Sequence, residues 1–271
     1  MVQRLTDQAI RESVNARVEI DRARDSKRDG SGVRVLEFKV IDLRDSLVID
    51  LRSRSAERLF LSDDQGILSA SRWMLALKRL IDIAASVILI VLLSPVFVLA
   101  AIAVKLTSPG PILHIGDRVG KGGRVFRFAK FRSMYSDAET RLESLRHHNE
   151  ASGPVFKMRR DPRITPVGKF MRKYSIDEFP QLFHVLTGQL SLVGPRPPFP
   201  EETSQYNAWH RQRLLVKPGI TCIWQVSGRS DLDFETWVAM DIEYIATWSP
   251  WLDFTILLKT IPAVLSGKGA Y

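Results

Sequence analysis

Hydrophobic and polar positions divide the chain into three unequal parts. Between Asp82 and Lys105 there is no charged side chain, and residues 83–104 are almost wholly apolar. A hydrocarbon core about 30 Å thick requires roughly 20 apolar residues in a helix, so this stretch has the length of a membrane segment. Ser94 and Pro95 stand at its middle. A proline there removes an intrahelical hydrogen bond and kinks or breaks the helix, and the serine hydroxyl is one of the few local groups able to satisfy a freed carbonyl. Lys78 and Arg79 precede the segment; Lys105, Arg118, Lys121, Arg124, Arg127, Lys130 and Arg132 follow it, against Asp117 alone. Lys and Arg mark the cytoplasmic flank of a membrane segment. Two such flanks predict a re-entrant hairpin, broken at Ser94-Pro95, that enters one leaflet and returns. A kinked single-pass helix and a buried helix of a soluble core are the competing readings.

Before this segment, Met1 to Asp29 mixes both signs of charge with few large apolar residues, the pattern of a solvated helix or a disordered stretch. Gly30-Ser31-Gly32 reads as a hinge, and 33–41 and 47–51 have the β-branched content of short strands. Residues 1–72 are therefore expected to form a charged, partly disordered extension. Trp73 with Lys78 and Arg79 has the composition of an interfacial anchor for a membrane-inserting part over 73–107. Beyond it, Ile112–Val119 and Arg124–Met134 read as two strands around Gly120-Lys121-Gly122-Gly123, a hairpin turn and not a nucleotide-binding lysine loop. Alternation puts Phe126, Phe128, Lys130 and Arg132 on one face, where the two cations form either a phosphate clamp or a solvated basic face. Asp137 is placed to cap a polar helix running toward Asn149.

Thr165-Pro166 is a helix start, and Val167, Phe170, Met171 and Tyr174 follow at the helical period. Leu182, Phe183 and Leu186 mark a second amphipathic helix that stops at Gly188. Pro180 fits only its first turn, which brings Asp177 and Glu178 to the helix N-terminus. The same residues match a capping box from Ser175 to Glu178, so a structural role competes with a functional one. Gly194-Pro195-Arg196-Pro197-Pro198 is a stiff turn presenting one arginine, suited to phosphate or simply a proline-rich linker. In Lys217–Arg229, Trp224, Gln225 and Arg229 have the chemistry to hold a nucleotide, although a core strand looks similar. Trp248, Trp251, Phe254, Leu258, Ile261 and Leu265 lay an apolar stripe on a last helix that is expected to rest on a membrane surface.

Charge adds location to this picture. The net charge is +9, yet residues 1–72 hold 14 basic and 13 acidic side chains, so the surplus belongs to the part containing the apolar segment. A basic surface beside a membrane hairpin suits anionic headgroups and phosphorylated substrates; no nucleic-acid-binding motif is present. Cys222 is the sole cysteine. That excludes an internal disulfide and a multi-cysteine metal site and suits a reducing compartment. No signal peptide is visible, because the apolar segment begins too far from the N-terminus.

In order along the chain, Lys78-Arg79-Leu80-Ile81-Asp82, Ser94-Pro95, Lys130-Phe131-Arg132-Ser133-Met134, Arg172 through Glu178, Leu192 through Pro197, Pro218 through Arg229 and Gly267-Lys268-Gly269-Ala270-Tyr271 resemble the bacterial sugar transferase family, the monotopic polyprenyl-phosphate phosphoglycosyl transferases. The resemblance covers roughly Leu77 to Tyr271. It implies an α+β fold, with a mainly helical catalytic domain over 108–271 at the cytoplasmic face of the bacterial inner membrane. That domain would carry a short β-hairpin and be anchored by the re-entrant helix hairpin and surface amphipathic helices. The implied reaction is transfer of a sugar-1-phosphate from a UDP-sugar to undecaprenyl phosphate, with UMP released, to begin exopolysaccharide or other surface-glycan synthesis alongside other assembly enzymes. Asp177 matches the nucleophile and Glu178 its partner, the pair lying near a Mg2+ ion, while Lys130, Arg172 and Arg196 match basic positions near the bound phosphates. Arg132, Gln225 and Arg229 join them as expected substrate contacts. Larger members carry four transmembrane helices and a further soluble domain ahead of this core, which residues 1–72 do not resemble, and Cys222 stands where many members have glycine. The competing reading is a non-catalytic, basic membrane-surface adaptor that binds anionic lipids, with Asp177 and Glu178 as mere caps.

Overall fold

The computed structural model describes Leu61 and residues 66–151, 153–229, 232–267 and 269. The expected strands at 33–41 and 47–51, the rest of the charged extension before Leu61, and Lys268, Ala270 and Tyr271 lie outside the described residues. What is described is mainly helical with two small sheets, an α+β arrangement.

The apolar segment forms two helices, α1 (Arg72–Leu92) and α2 (Ser94–Thr107), bent by 62° at Leu93. The break is built as the sequence predicts. Pro95 lies in the first turn of α2, and Ser94 Oγ donates to Val91 O at 2.8 Å, taking up a carbonyl at the end of α1. Among the described residues no single helix is long and apolar enough to cross a membrane, although the bent pair together meets that length and composition. The polarity of α1 is inside out. It buries Asp82 and Ser86 and exposes Leu80, Ile88, Val91 and Leu92, the reverse of a helix lying on a water-soluble core.

The polar residues of α1 bolt it to the rest of the protein. Asp82 Oδ1 accepts from Ser191 Oγ at 3.1 Å and from the Leu192 amide at 3.0 Å. Arg79 donates to the carbonyls of Val185 and Leu186, at 2.6 and 2.8 Å, where a helix leaves its last carbonyls unpaired. Lys78 pairs with Asp253 at 2.5 Å and donates to Val193 O at 3.1 Å. Lys78 and Arg79, expected as interfacial flank charges, are therefore tethers within the protein.

Strands β1 (Leu113–Val119) and β2 (Val125–Phe131) pair antiparallel from Leu113 opposite Phe131 to Val119 opposite Val125, with Gly122 and Gly123 at positive φ in the expected turn. Helix α3 (Ala138–Leu145) begins after Asp137, but that carboxylate accepts from Arg141 at 2.8 and 2.5 Å instead of capping the backbone. Helix α4 (Pro166–Lys173) starts as expected, with Thr165 Oγ1 accepting from the Gly168 amide at 2.9 Å. Gly168 is required by contact: a Cβ there would fall 1.9 Å from Ser133 O. After a 3-10 turn at Ile176–Glu178 comes α5 (Gln181–Leu186), then β3 (Ser191–Val193). Short helices α6 (Pro200–Ser204) and α7 (Ala208–Arg211) lead to β4 (Gly219–Thr221), which pairs parallel with β3. The chain closes with α8 (Ile223–Ser227), α9 (Phe234–Thr247) and α10 (Pro250–Ser266).

Two apolar clusters hold this together. One gathers Tyr206, Trp209, Cys222, Trp224, Phe234, Trp237, Val238 and Ile242. The other joins Ala100 and Val104 of α2 to Phe131 and Met171, with Phe97, Ile176 and Phe179 against it. Phe97, two residues beyond Pro95, meets Phe131, Phe179 and Phe183 at ring-centroid distances of 5.9, 5.8 and 6.0 Å. The returning arm of the hairpin thus packs on the turn that carries Asp177 and Glu178. Trp248 differs from expectation: it precedes α10 and is buried, so the exposed stripe on that helix is Trp251, Phe254, Leu258, Ile261 and Leu265.

Replacing Asp82 by Ala removes the acceptor for two buried donors and is expected to cost about 2–4 kcal/mol. Asp82→Asn, which keeps an oxygen acceptor, should lose less. Thermal unfolding of the purified variants measures this, and equal midpoints for wild type and Asp82→Ala would refute the tether.

Candidate active site

Helix α4 ends at Lys173, and the chain reverses through Ser175, whose φ of 54° is left-handed. Among the described residues only Ser175 and Arg229 are non-glycine positions with positive φ. Such conformations cost of order 1 kcal/mol and gather at functional sites. The Ser175 side chain makes no cap hydrogen bond, so the capping box expected from Ser175 to Glu178 does not form. The turn is closed through the backbone instead, by Glu178 N to Ser175 O and Phe179 N to Ile176 O, each 3.2 Å. This frees both carboxylates. Asp177 is buried and Glu178 is half-buried beside it.

Cations converge on the pair from separate elements. Arg196 Nη2 donates to Glu178 Oε1 at 2.5 Å. Lys130, at the end of β2, and Arg172, in the last turn of α4, both bear electrostatically on Asp177. Arg172 is oriented by a 2.9 Å hydrogen bond from Nε to Ser133 Oγ. Arg229 carries its charge toward Glu178 as well. Four expected contacts, Lys130, Arg172, Arg196 and Arg229, are therefore brought together around the dyad.

The electrostatics separate the two carboxyls. Burial and then the charge of Glu178 raise Asp177 above the ordinary aspartate range, against the weaker pull of Lys130, Arg172 and Arg196. Burial would raise Glu178 too, but Arg196, Lys130 and Arg118 outweigh it and hold its carboxyl below the usual glutamate range. Burial and the neighbouring Arg172 push Lys130 down to about 8. The pair is thus one firmly ionised carboxylate beside one that holds its proton more readily.

Two sequence expectations are corrected. Arg132 lies one residue past β2 and turns away from the dyad, donating from Nη2 to Ser108 O at 2.7 Å and from Nη1 to Pro109 O. It clamps the exit from α2 and is no phosphate contact. Trp224 is buried and stacked on Trp237, with centroids 4.6 Å apart and planes 15° from parallel, so it is a core ring and offers no free face to a base. It sits on a helix, α8, where a strand was the alternative. For Gln225, also expected to meet substrate, the structure shows its carbonyl oxygen accepting from the Cys222 thiol at 3.1 Å, which leaves its amide donors available. Sequence reasoning also missed Arg118, which counted only as a flank charge; it is buried, lies with its guanidinium carbon 3.3 Å from the Phe199 ring centroid, and donates to Pro197 O at 3.0 Å. Strand parity, which pairs Arg118 with Phe126, was the available signal.

Among the described residues no group of three or more His, Cys, Asp or Glu side chains is placed to hold a metal ion. Mg2+ needs no such cage, because it is commonly bound by one or two carboxylates plus substrate phosphates and water. The adjacent Asp177 and Glu178, both oxygen donors, fit that donor set.

Residues 73–267 match the family described as bacterial sugar transferase. The chain is 46% identical over 194 residues to the galactosyl transferase CpsE of Streptococcus agalactiae serotype III, covering 71% of this chain and 43% of that protein. It is 42% identical over 203 residues to the undecaprenyl-phosphate galactose phosphotransferase of Salmonella typhimurium, covering 72% and 42%. With the exopolysaccharide production protein ExoY of Rhizobium meliloti it shares 38% identity over 198 residues, covering 72% of this chain and 88% of ExoY. The chain spans less than half the length of the first two relatives and most of the third. The matched region takes in both arms of the bent hairpin, the Asp177-Glu178 turn and every cation around it, and on that evidence the chain belongs to the bacterial sugar transferase family.

Proposed function

We propose that this protein transfers a sugar-1-phosphate from a UDP-sugar to undecaprenyl phosphate at the cytoplasmic face of the inner membrane, releasing UMP and starting exopolysaccharide or other surface-glycan synthesis. The observation that carries the reading is a buried carboxyl, Asp177, ringed by Lys130, Arg172 and Arg196 on a turn packed against an inside-out helix hairpin. A basic lipid-binding adaptor needs the cations and the hairpin but gives no reason to set two adjacent acids among them, one of them buried. The names of the relatives, undecaprenyl-phosphate galactose phosphotransferase and exopolysaccharide production protein, support the same substrate class and pathway.

In the first step an Asp177 carboxylate oxygen attacks the sugar-bearing phosphorus. The bond from that phosphorus to the bridging oxygen breaks, and UMP leaves with the electron pair. In the second step an oxygen of the polyprenyl phosphate attacks the same phosphorus, breaking its bond to Asp177 and restoring the carboxylate. Lys130, Arg172 and Arg196 offset charge on the phosphoryl oxygens in both steps. Glu178, kept ionised by Arg196, holds that guanidinium toward the site. Asp177 and Glu178 would hold Mg2+ together with the diphosphate, adding charge neutralisation at the transferring group.

The hairpin supplies depth. The ten residues from Ile83 to Leu92 rise about 15 Å, half of a hydrocarbon core about 30 Å thick. Ile88, Val91, Leu92, Leu99, Leu106 and Trp251 are 63% to 81% exposed, an apolar surface far beyond what water-facing helices carry. A hairpin seated in one leaflet would keep the dyad at headgroup level, where the lipid phosphate lies.

Three outcomes follow. Asp177→Asn keeps the side-chain shape, so folding should survive while UMP release falls roughly 10³-fold or more; wild type incubated with UDP-sugar alone should release one equivalent of UMP and gain the mass of a phosphosugar on the Asp177 peptide. UMP appearing only with lipid present, and no adduct, would replace the two-step route by direct displacement. The pH profile of kcat/KM should rise with deprotonation of Asp177, above the ordinary aspartate range, and fall through about 8 as Lys130 loses its proton. Removing the cation in Lys130→Met raises the proton affinity of Asp177, so the acid limb should move to higher pH and the fall near 8 should vanish; an unmoved profile contradicts the assignment. For topology, single cysteines at Trp73 and Leu106 in a Cys222→Ser background should both react only from the cytoplasmic side, and periplasmic labelling of either one rules out the hairpin.

A further inference from the structure

The turn that presents Arg196 is nearly devoid of backbone donors, because Pro195, Pro197 and Pro198 have no N–H. The four carbonyls from Pro195 to Pro198 are nevertheless all engaged. Pro195 O accepts from the Gly219 amide of β4 at 2.9 Å, and Pro198 O from the Val119 amide of β1 at 2.9 Å. The two carbonyls between them, which no backbone amide reaches, are held by arginines: Arg213 Nη2 donates to Arg196 O at 3.3 Å, and Arg118 Nη1 to Pro197 O at 3.0 Å. Both arginines are buried.

A buried guanidinium needs counter-charge and partners for its remaining donors. Arg213 has them in Asp241, with which it forms a buried ion pair, and in Tyr206 OH at 2.9 Å. Arg118 lies over the Phe199 ring, and the acid acting on it most strongly is Glu202. Glu202 is itself buried and acts on both arginines; its Oε2 accepts from the Phe199 amide at 3.2 Å, the first N–H after the prolines. Two arginines, Glu202 and Asp241 therefore form a charged frame around one five-residue turn. Arg196, the side chain pointing out of that frame, is the one that meets Glu178.

We infer that Arg118 and Arg213 are positioning residues that fix the Arg196 guanidinium on the dyad by clamping the carbonyls of Arg196 and Pro197. The inference deepens the proposed transferase reading and rests on it for its kinetic consequence alone. Neither arginine touches Asp177 or needs to meet substrate. Arg118 also helps to keep Glu178 ionised, but a lysine retains that charge; what it cannot reproduce is the planar fork on the carbonyl, so the substitution should loosen the turn.

Two measurements test this on the full-length protein. Hydrogen exchange, read by mass spectrometry on the peptides carrying the Arg196 and Phe199 amides and the Val119 and Gly219 amides that bond the turn's carbonyls, needs no turnover: Arg118→Lys and Arg213→Lys should raise exchange there and leave the α3 peptide at wild-type protection. A double-mutant cycle with Arg196→Ala then reads function. Each lysine variant should lower kcat for UMP release about 10-fold to 100-fold with KM little changed, and should lower it no further once Arg196 is already alanine, because coupled residues are not additive. A merely structural role instead gives the same fold-loss in both backgrounds. Exchange at wild-type level in the turn, or additive losses, overturns the inference; if Arg213→Lys fails to fold beside Asp241, Arg118→Lys decides it by the same two criteria. Should wild type release no UMP at all, the functional reading falls while the exchange result still decides whether the clamp exists.

Discussion

Two neighbouring carboxyl groups in a buried turn repel each other, and the arrangement around Asp177 and Glu178 answers that repulsion. Glu178 is held ionised by its pairing with Arg196, while Asp177 is left with weaker, more distant cations and a raised proton affinity. Adjacent in sequence, the two acids acquire different characters from their surroundings alone. No single element supplies those surroundings. Lys130 comes from β2, Arg172 from α4, Arg196 from the proline turn and Arg229 from the end of α8, so the site exists only when the entire domain has closed.

The hairpin belongs to the same closure. Phe97 sits at the start of the returning arm and contacts Phe131, Phe179 and Phe183, which flank Lys130 and the dyad. On its other arm, Lys78, Arg79 and Asp82 fasten α1 to β3, α5 and α10. On the proposed reading, the depth at which the hairpin sits in lipid and the place of the reactive carboxyl are set by one rigid connection, without a flexible linker between anchor and chemistry.

How much of this could be read from residues alone depended on range. The break at Ser94-Pro95, the helix start at Thr165-Pro166 and the hairpin around Gly120–Gly123 were legible because each is decided by neighbours within a few positions. The dyad was legible as a pair of acids at a helix start, but its function rested on the resemblance, since a capping box has the same letters. Periodicity failed at element ends: Arg132 follows the parity of β2 yet lies beyond Phe131, where the strand has stopped and the side chain is free to turn onto Ser108 and Pro109. It failed likewise for Trp248, one residue past α9 and buried. The roles of Lys78, Arg79, Arg118 and Arg213 were invisible for a different reason. Their partners lie between 7 and 175 positions away, and a charge beside an apolar run reads the same whether it meets water, lipid or a distant carbonyl.

The proline content of the 194–198 turn has a thermodynamic consequence. Fixing a residue's backbone costs about 1–2 kcal/mol in conformational entropy. Pro195, Pro197 and Pro198 have little such freedom even in the unfolded chain, so most of that cost is avoided. The remainder is met when the domain folds, by the four carbonyl contacts described above. On the proposed reading, an incoming anion therefore meets a guanidinium whose backbone is already ordered, and almost none of its binding energy is diverted into organising the loop that receives it.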